Sequence, residues 1–174
     1  MLLHLWETSQ VKVVFLDLDG VLNRGAGHFR PENVKWLNRI TDRTKAHIVI
    51  HSSWRYSRTV EELRRILRAV GVSGEIIDVA PVPHNAVRGE SGIIVLDPED
   101  FEQFTRGLPT THNYERPASI QRWLDGHQDV GPSDFVILDD TGFMAHFGHR
   151  HIRTRQSIGL TREHADQAIR MLLE

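Results

Sequence analysis

The chain has 174 residues, 40% of them hydrophobic, and its formal net charge of −2 argues against a protein that coats duplex nucleic acid by bulk electrostatics. Its length and unbroken composition predict one compact domain over residues 1–174. The absence of cysteine excludes a disulfide framework and thiolate chemistry, and we expect a cytoplasmic protein with no secretory leader and no membrane span.

Apolar runs typical of buried strands alternate with segments of helical periodicity. In the first such helix, Pro31 suits the first helical position, and Val34, Leu37 and Ile40 share one face. In chain order the predicted elements are a strand at 11–16, a helix at 31–40, a strand at 46–50, a helix at 59–70, a strand at 75–79, a helix at 116–125, strands at 135–138 and 151–154, and a last helix capped by Thr161. This alternation predicts an α/β fold, a Rossmann-like parallel sheet with helices on both faces.

Two carboxylates, Asp17 and Asp19, follow the first strand and precede a turn at Gly20. Like charges so close resist joint ionisation unless a cation or a shared proton lies between them. Mg²⁺ is a hard cation that prefers oxygen ligands, and is therefore the expected one. The segment predicts a reactive edge of the sheet.

Polar side chains also follow the second and fourth strands. Ser52 and Ser53 come at the end of the second strand, and Asp139 and Asp140 at the end of the fourth. In open parallel sheets, ligands bind beyond the carboxyl ends of the strands. We therefore expect these residues to form one site with Asp17.

The segment DLDGV, residues 17–21, resembles the first motif of the haloacid dehalogenase-like (HAD) superfamily, whose members are mostly Mg²⁺-dependent phosphohydrolases. AHIVIHSSWR, residues 46–55, and FVILDD, residues 135–140, resemble its second and fourth motifs. Arg116 lies where the third motif has a basic residue, and no lysine follows Lys45 to take that place. Together these segments are most similar to the small HAD domains of bacterial nucleic-acid repair proteins and to the phosphatase half of polynucleotide kinase-phosphatases.

The resemblance implies roles for individual residues. Asp17 would attack phosphorus and form an aspartyl-phosphate, while Asp19 would protonate the leaving oxygen and then activate water. One serine would bond a phosphoryl oxygen, and Ser52 is preferred over Ser53. Neighbouring side chains of an extended strand point in opposite directions, so the two serines cannot both face the site. Arg116 would stabilise the phosphorylated aspartate.

Mg²⁺ would be held, by the same resemblance, by Asp17, the backbone carbonyl of Asp19 and one acid of the second pair. Asp140 is preferred as the direct ligand and Asp139 as a supporting acid.

Three basic residues are candidate substrate contacts. Arg55 lies near the position where the phosphatase half of polynucleotide kinase-phosphatases carries an arginine that helps to bind the substrate phosphate. The alternative is a solvent-facing residue at the entry of a helix. His28 and Arg30 follow the first motif in the short turn that borders the active site in this superfamily, or else lie in an exposed loop.

Caps decide substrates in this superfamily, and no large cap fits between the first two motifs. A stretch of about 35 residues from Pro81 to Glu115 predicts a loop or small flap, with one short helix around 98–104. A site without a large cap accepts a phosphate at the end of something large, such as a nucleic-acid terminus.

These observations predict an Mg²⁺-dependent phosphatase, a phosphoric monoester hydrolase that removes a terminal 3′-phosphate from a polynucleotide. The expected partner is a phosphorylated substrate, either a nucleic-acid end or a nucleotide. A nucleotidase or another small-metabolite phosphatase is the alternative enzyme. An inactive HAD-like module that binds phosphorylated partners is the alternative from another class.

Overall fold

The computed structural model describes residues 10–25, 28–88, 94–107 and 115–174. The strands are β1 (Val13–Leu16), β2 (His47–Ile50), β3 (Ile76–Val79), β4 (Val87–Arg88), β5 (Ile94–Val95), β6 (Phe135–Asp139) and β7 (His151–Arg153). The α-helices are α1 (Pro31–Thr44), α2 (Val60–Ala69), α3 (Pro98–Thr105), α4 (Arg116–Asp125) and α5 (Arg162–Leu173). The predicted strands and helices are confirmed, with boundaries that differ by a few residues.

Local sequence signals explain where the helices begin. Proline occupies the first turn of α1, where its missing N–H has no intrahelical partner. Thr59 caps α2 in a reciprocal capping box with Glu62, so two otherwise unpaired backbone N–H groups are satisfied. Thr161 caps α5 as predicted, accepting a hydrogen bond from the backbone of His164.

Five strands form one parallel sheet in the order β3-β2-β1-β6-β7. The last residue of β1, Leu16, pairs with Ile50 of β2 and with Leu138 of β6. The three central strands therefore end at the same level, and the residues that follow them meet at one edge. The predicted α/β fold is confirmed.

Alternate residues of β1 enter two separate cores, because successive side chains of a strand point to opposite faces. Val14 and Leu16 pack in the core that contains α1, α2 and α5. Val13 and Phe15 pack in the core that contains α4, where the Phe15 ring meets Trp123 edge to face with centroids 5.4 Å apart. Helices thus cover both faces of the sheet.

The segment 81–115 contains the antiparallel pair of β4 and β5 and the helix α3. Asp97 caps α3 and a proline occupies its first turn, so the predicted short helix is confirmed. The strand pair was not predicted. Residues 89–93 and 108–114 lie outside the described residues, and the prediction of a loop or small flap stays a prediction. Among the described residues, no helix is long and apolar enough to cross a bilayer.

Candidate active site

Three carboxylates meet at the carboxyl edge of the sheet. Asp17 directly follows β1, Asp139 is the last residue of β6, and Asp140 comes next. One carboxylate oxygen from each lies within 4.8 Å of the other two. Asp17 is 1% exposed and Asp139 fully buried, so water screens little of their mutual repulsion. Such a cluster is stable only with positive charge or protons beside it.

Arg116 supplies part of that positive charge. It is the first residue of α4, and its Nη1 donates hydrogen bonds to Asp17 Oδ2 at 2.7 Å and to Asp139 Oδ2 at 2.9 Å. Burial raises the pKa of Asp17 above its ordinary value, while the Arg116 charge opposes that rise. The predicted basic residue thus contacts the predicted nucleophile directly.

His51, which was not among the predicted site residues, completes this network. It follows β2, is fully buried, and its Nε2 lies 2.8 Å from Asp139 Oδ2. The Thr141 backbone N–H donates to the other Asp139 oxygen at 2.7 Å. Burial alone would raise the pKa of Asp139, but the His51 hydrogen bond and the Arg116 charge hold it well below its ordinary value. Asp139 is therefore an ionised carboxylate already engaged by protein donors.

Asp140 differs from its neighbour. Burial and the charges of Asp17 and Asp139 raise its pKa to about 6. Its carboxylate lies against Gly20, where an added Cβ would be 2.2 Å from Asp140 Oδ2, and where the backbone φ of +76° also favours glycine. Glycine at position 20 therefore lets this acid approach the cluster.

The donor set fits Mg²⁺. Carboxylate oxygens are the ligands that this hard cation prefers, and the three acids offer one oxygen each within a small space. Arg116, His51 and the Thr141 backbone bond the oxygens of Asp139, whereas the oxygens of Asp17 accept one hydrogen bond each, from the Leu18 backbone and from Arg116. Asp139 is thus the more fully engaged of these two acids. A cation here would relieve the repulsion that raises the pKa of Asp140.

Asp19 lies outside the three-carboxylate cluster and is held separately. Its Oδ1 accepts a hydrogen bond from Asn23 Nδ2 and its Oδ2 one from Trp54 Nε1, both at 2.9 Å. The Trp54 ring in turn contacts the Phe29 ring edge to face, with centroids 5.7 Å apart. The Cζ atom of Arg58 lies 4.5 Å from the centroid of the Trp54 ring. The Asp19 carboxylate thus has a defined orientation, which a group that transfers protons requires.

The two serines differ in burial. Ser52 is fully buried, and its Oγ lies 3.5 Å from the Trp54 backbone nitrogen at the start of a 3₁₀ turn over Ser53–Tyr56. Ser53 is partly exposed. The chain leaves the extended conformation at this point, so strict alternation of the two side chains no longer applies.

Arg55 does not face solvent. It is 6% exposed, and its guanidinium donates to the backbone carbonyls of His51, Ser52 and Ala80 and to the carboxylate of Glu115. Burial would raise the pKa of Glu115, but Arg55 and the Tyr56 hydroxyl hold it below its ordinary value. This geometry favours Arg55 as a residue that positions the loop after β2, and its role as a substrate contact stays a prediction.

His28 and Arg30 lie in the turn that precedes α1. His28 is exposed, and Arg30 donates from Nη1 to the backbone carbonyl of Ile158 at 2.9 Å. Arg30 therefore ties this turn to the loop after β7. Neither residue contacts the carboxylate cluster through a hydrogen bond in the described part of the chain.

A parallel α/β sheet with an Asp-x-Asp segment after β1, an arginine opening a helix and paired acids after β6 defines a HAD-like domain. Residues 13–165 match the family described as the HAD domain in Swiss Army Knife RNA repair proteins, and the chain belongs to that family. Membership suggests phosphatase activity, and HAD domains typically use Mg²⁺. No curated protein and no solved structure shows a significant match to the chain.

Proposed function

We propose that this protein is an Mg²⁺-dependent phosphomonoesterase that removes a terminal 3′-phosphate from RNA strands through an aspartyl-phosphate on Asp17. The observation that carries the proposal is the buried Asp17 carboxylate, which follows β1 and contacts Arg116 beside Asp139 and Asp140. A buried carboxylate grouped with two others and one arginine is costly for folding, which is typical of sites kept for chemistry.

Asp17 and Asp140 would hold Mg²⁺ directly, with Asp139 as the supporting acid. The bound ion would offset the negative charge of the phosphate ester, so that an anionic nucleophile can approach it. Since burial raises the pKa of Asp17, nearby positive charge is also what keeps this carboxylate ionised and nucleophilic.

In the first step, an Asp17 carboxylate oxygen bonds to phosphorus as the ester P–O bond breaks. Protonated Asp19 gives its proton to the leaving ribose oxygen, which departs as a hydroxyl group. Arg116 already donates to Asp17 Oδ2 and is placed to offset charge on the transferring oxygens. The products of this step are the dephosphorylated strand and an acyl phosphate on Asp17.

In the second step, water attacks the phosphorus of the acyl phosphate and the bond to Asp17 breaks. Asp19, now ionised, accepts the proton of that water, so inorganic phosphate leaves and both acids return to their starting states. The hydrogen bonds from Trp54 and Asn23 fix the orientation of the Asp19 carboxyl group, because each holds one of its oxygens.

The family description supports an RNA end as the substrate, since it places such domains in RNA repair proteins. The choice of the 3′-phosphate rests on the resemblance to the phosphatase half of polynucleotide kinase-phosphatases, which carries an arginine near the position of Arg55.

The test is phosphate release with and without Mg²⁺ from four substrates: a 3′-phosphorylated RNA oligonucleotide, its 5′-phosphorylated twin, a 3′-mononucleotide and an aryl phosphate. We expect Mg²⁺-dependent release, fastest from the 3′-phosphorylated oligonucleotide, and its loss in Asp17→Asn. Asp129→Asn, which removes an exposed carboxylate, is the matched control and should keep full activity. Faster turnover of the mononucleotide would instead make the protein a nucleotidase. Full activity in Asp17→Asn would contradict the assigned nucleophile.

A further inference from the structure

A basic cavity adjoins the carboxylate cluster on the side of β7. It has a volume of about 500 Å³ and is lined by Asp140, Arg153, Thr154, Arg155 and Gln156. Within this lining two side chains are cationic and one is acidic. Because Asp140 also belongs to the carboxylate cluster, a ligand in this cavity would lie directly beside the site of phosphoryl transfer.

The topology explains why these arginines reach the active edge. β7 pairs in parallel with β6, and Arg153 is opposite Asp139 in the register. Arg155 follows two residues later, beyond the carboxyl end of β7. The two cations therefore lie at the same edge of the sheet as the three carboxylates.

Arg153 is anchored over the loop after β6. Its Nε donates to the backbone carbonyl of Asp140 at 3.1 Å. Its terminal nitrogens lie beside Gly142, where an added Cβ would be 3.3 Å from Nη1 and therefore crowded. The glycine leaves room for the guanidinium to fold over this loop.

Hydrogen bonds hold the segment that carries Arg155 in place. Thr154 Oγ1 donates to the Gly20 carbonyl at 2.7 Å, which joins the floor of the cavity to the loop after Asp19. The Gly159 N–H donates to the Arg155 carbonyl at 2.7 Å and closes a tight turn. Arg30 bonds to the Ile158 carbonyl of the same turn. The backbone of Arg155 is thus fixed before any ligand arrives.

The Arg155 side chain is exposed, and it makes no hydrogen bond or ion pair within residues 10–25, 28–88, 94–107 and 115–174. An arginine fixed at its backbone and unengaged at its guanidinium is suited to bidentate contact with a phosphate. The polar side chains of Thr154 and Gln156 complete a lining in which hydrogen-bonding groups predominate.

We propose that this cavity binds the phosphodiester group that joins the last two nucleotides of the substrate strand, with Arg155 as its main contact and Arg153 beside it. The proposal rests on the phosphatase function proposed above and deepens it. A cavity of about 500 Å³ is within the size of sites that bind molecules of roughly nucleotide size. A strand with a second phosphate would use it, whereas a mononucleotide or an aryl phosphate has no group to place there.

The test compares Arg155→Ala with wild type on a 3′-phosphorylated RNA oligonucleotide and on a 3′-mononucleotide. We expect kcat/KM for the oligonucleotide to fall about tenfold while kcat/KM for the mononucleotide stays unchanged, as for the loss of one phosphate contact. Arg155→Lys, which keeps the charge, should retain part of the preference. Arg43→Ala is the matched control, because Arg43 is an exposed arginine at the end of α1 that leads to the amino end of β2. Arg43 lines a separate cavity of about 570 Å³.

A second readout separates this proposal from the proposed function. The affinity of a labelled 3′-hydroxyl oligonucleotide, measured by fluorescence anisotropy over a salt series, should fall about tenfold in Arg155→Ala. The slope of log affinity against log salt concentration is negative, and its magnitude should decrease by about 0.7, the value for one phosphate contact on a single strand. If wild type releases no phosphate from any substrate, the proposed function fails, but the anisotropy still decides on the cavity. An equal fall in kcat/KM on both substrates, or an unchanged oligonucleotide affinity in Arg155→Ala, would overturn the proposal.

Discussion

The Trp54 indole offers the sharpest test of how Asp19 works. Trp54→Phe removes the N–H that donates to Asp19 Oδ2 at 2.9 Å, but keeps an aromatic ring to pack near Phe29. Asn23 still holds the other Asp19 oxygen. The substitution therefore loosens the carboxylate without removing it.

The size of the effect follows from this one hydrogen bond. Asp19 becomes charged as it gives its proton to the leaving oxygen, and a hydrogen bond to a charged group contributes about 1.5 to 3 kcal/mol. About 1.4 kcal/mol corresponds to a factor of ten in rate. Because Asn23 remains as a second anchor, we expect the lower end, a loss of about tenfold in kcat/KM. That loss should occur only where the leaving oxygen needs a proton.

The assay measures kcat/KM for two phosphate esters with different leaving groups. This parameter reports the formation of the aspartyl-phosphate and not its later hydrolysis. An alkyl or ribose oxygen needs the Asp19 proton, so Trp54→Phe should lower kcat/KM for the oligonucleotide. A nitrophenolate leaves without a proton, so kcat/KM for 4-nitrophenyl phosphate should hardly change. Trp36→Phe on α1 is the matched control and should affect neither substrate.

The reasoning fails if Trp54→Phe lowers kcat/KM equally for both esters. That result would mean that the indole contributes to folding or to phosphate binding, and not to the orientation of a general acid.

Three further substitutions test the buried network. Asp17→Asn should lower kcat by at least about 10⁴-fold, as loss of a covalent nucleophile does. It should not lower the unfolding temperature without Mg²⁺, because the pKa of Asp17 is raised by burial and its ionised form therefore does not favour the fold; a large drop in that temperature would show a structural role. His51→Leu removes a donor from Asp139, whose pKa is lowered in the fold. That carboxylate stabilises the fold above its ordinary pKa, about 3.9, so the variant should lose about 1 to 3 kcal/mol of stability at neutral pH and progressively less below about pH 4. Denaturant unfolding of His51→Leu and wild type at neutral pH and below about pH 4 measures this difference in stability. An equal loss of stability under the two conditions would contradict the role given to His51. Finally, protons should compete with Mg²⁺ for Asp140 below about pH 6, the value to which its pKa is raised. Titration calorimetry should show weaker Mg²⁺ binding as the pH falls through that value, and Asp140→Asn should bind Mg²⁺ weakly with little dependence on pH in this range.

Much of the fold could be predicted because the spacing of apolar residues along the chain shows which segments are strands and which are helices. The apolar run of β1 and the helical spacing of Val34, Leu37 and Ile40 are local signals, and alternation of such elements constrains the sheet to be parallel. The carboxyl-end rule then brought Asp17 and Asp139 together without knowledge of the order of the strands.

His51 was missed because its role depends on that order. β1 lies between β2 and β6, so a side chain that follows β2 can reach across the end of β1 to Asp139. In the sequence, His51 is only a polar residue between a strand and two serines. Its full burial and its partner 88 residues away have no local signature.

Arg55 shows the opposite case. Its residue type suggested a contact with substrate, but the groups around its side chain do not favour that role. Its guanidinium is paired with Glu115, 60 residues further along the chain, and with carbonyls of its own loop. Composition favours an arginine at a phosphate site, but only the packing of α4 against the loop after β2 shows that internal partners engage it.

The proposed chemistry requires a phosphoryl group bound to Asp17, and the most direct measurement is its capture. In Asp19→Asn, 4-nitrophenyl phosphate labelled at phosphorus should still transfer its phosphoryl group, because the leaving group needs no proton, while hydrolysis slows because no base activates water. Acid quenching followed by peptide mapping should then find an alkali-labile label on Asp17, with close to one phosphoryl group per protein. Release of nitrophenol without label on Asp17, or label on another residue, would contradict the covalent mechanism.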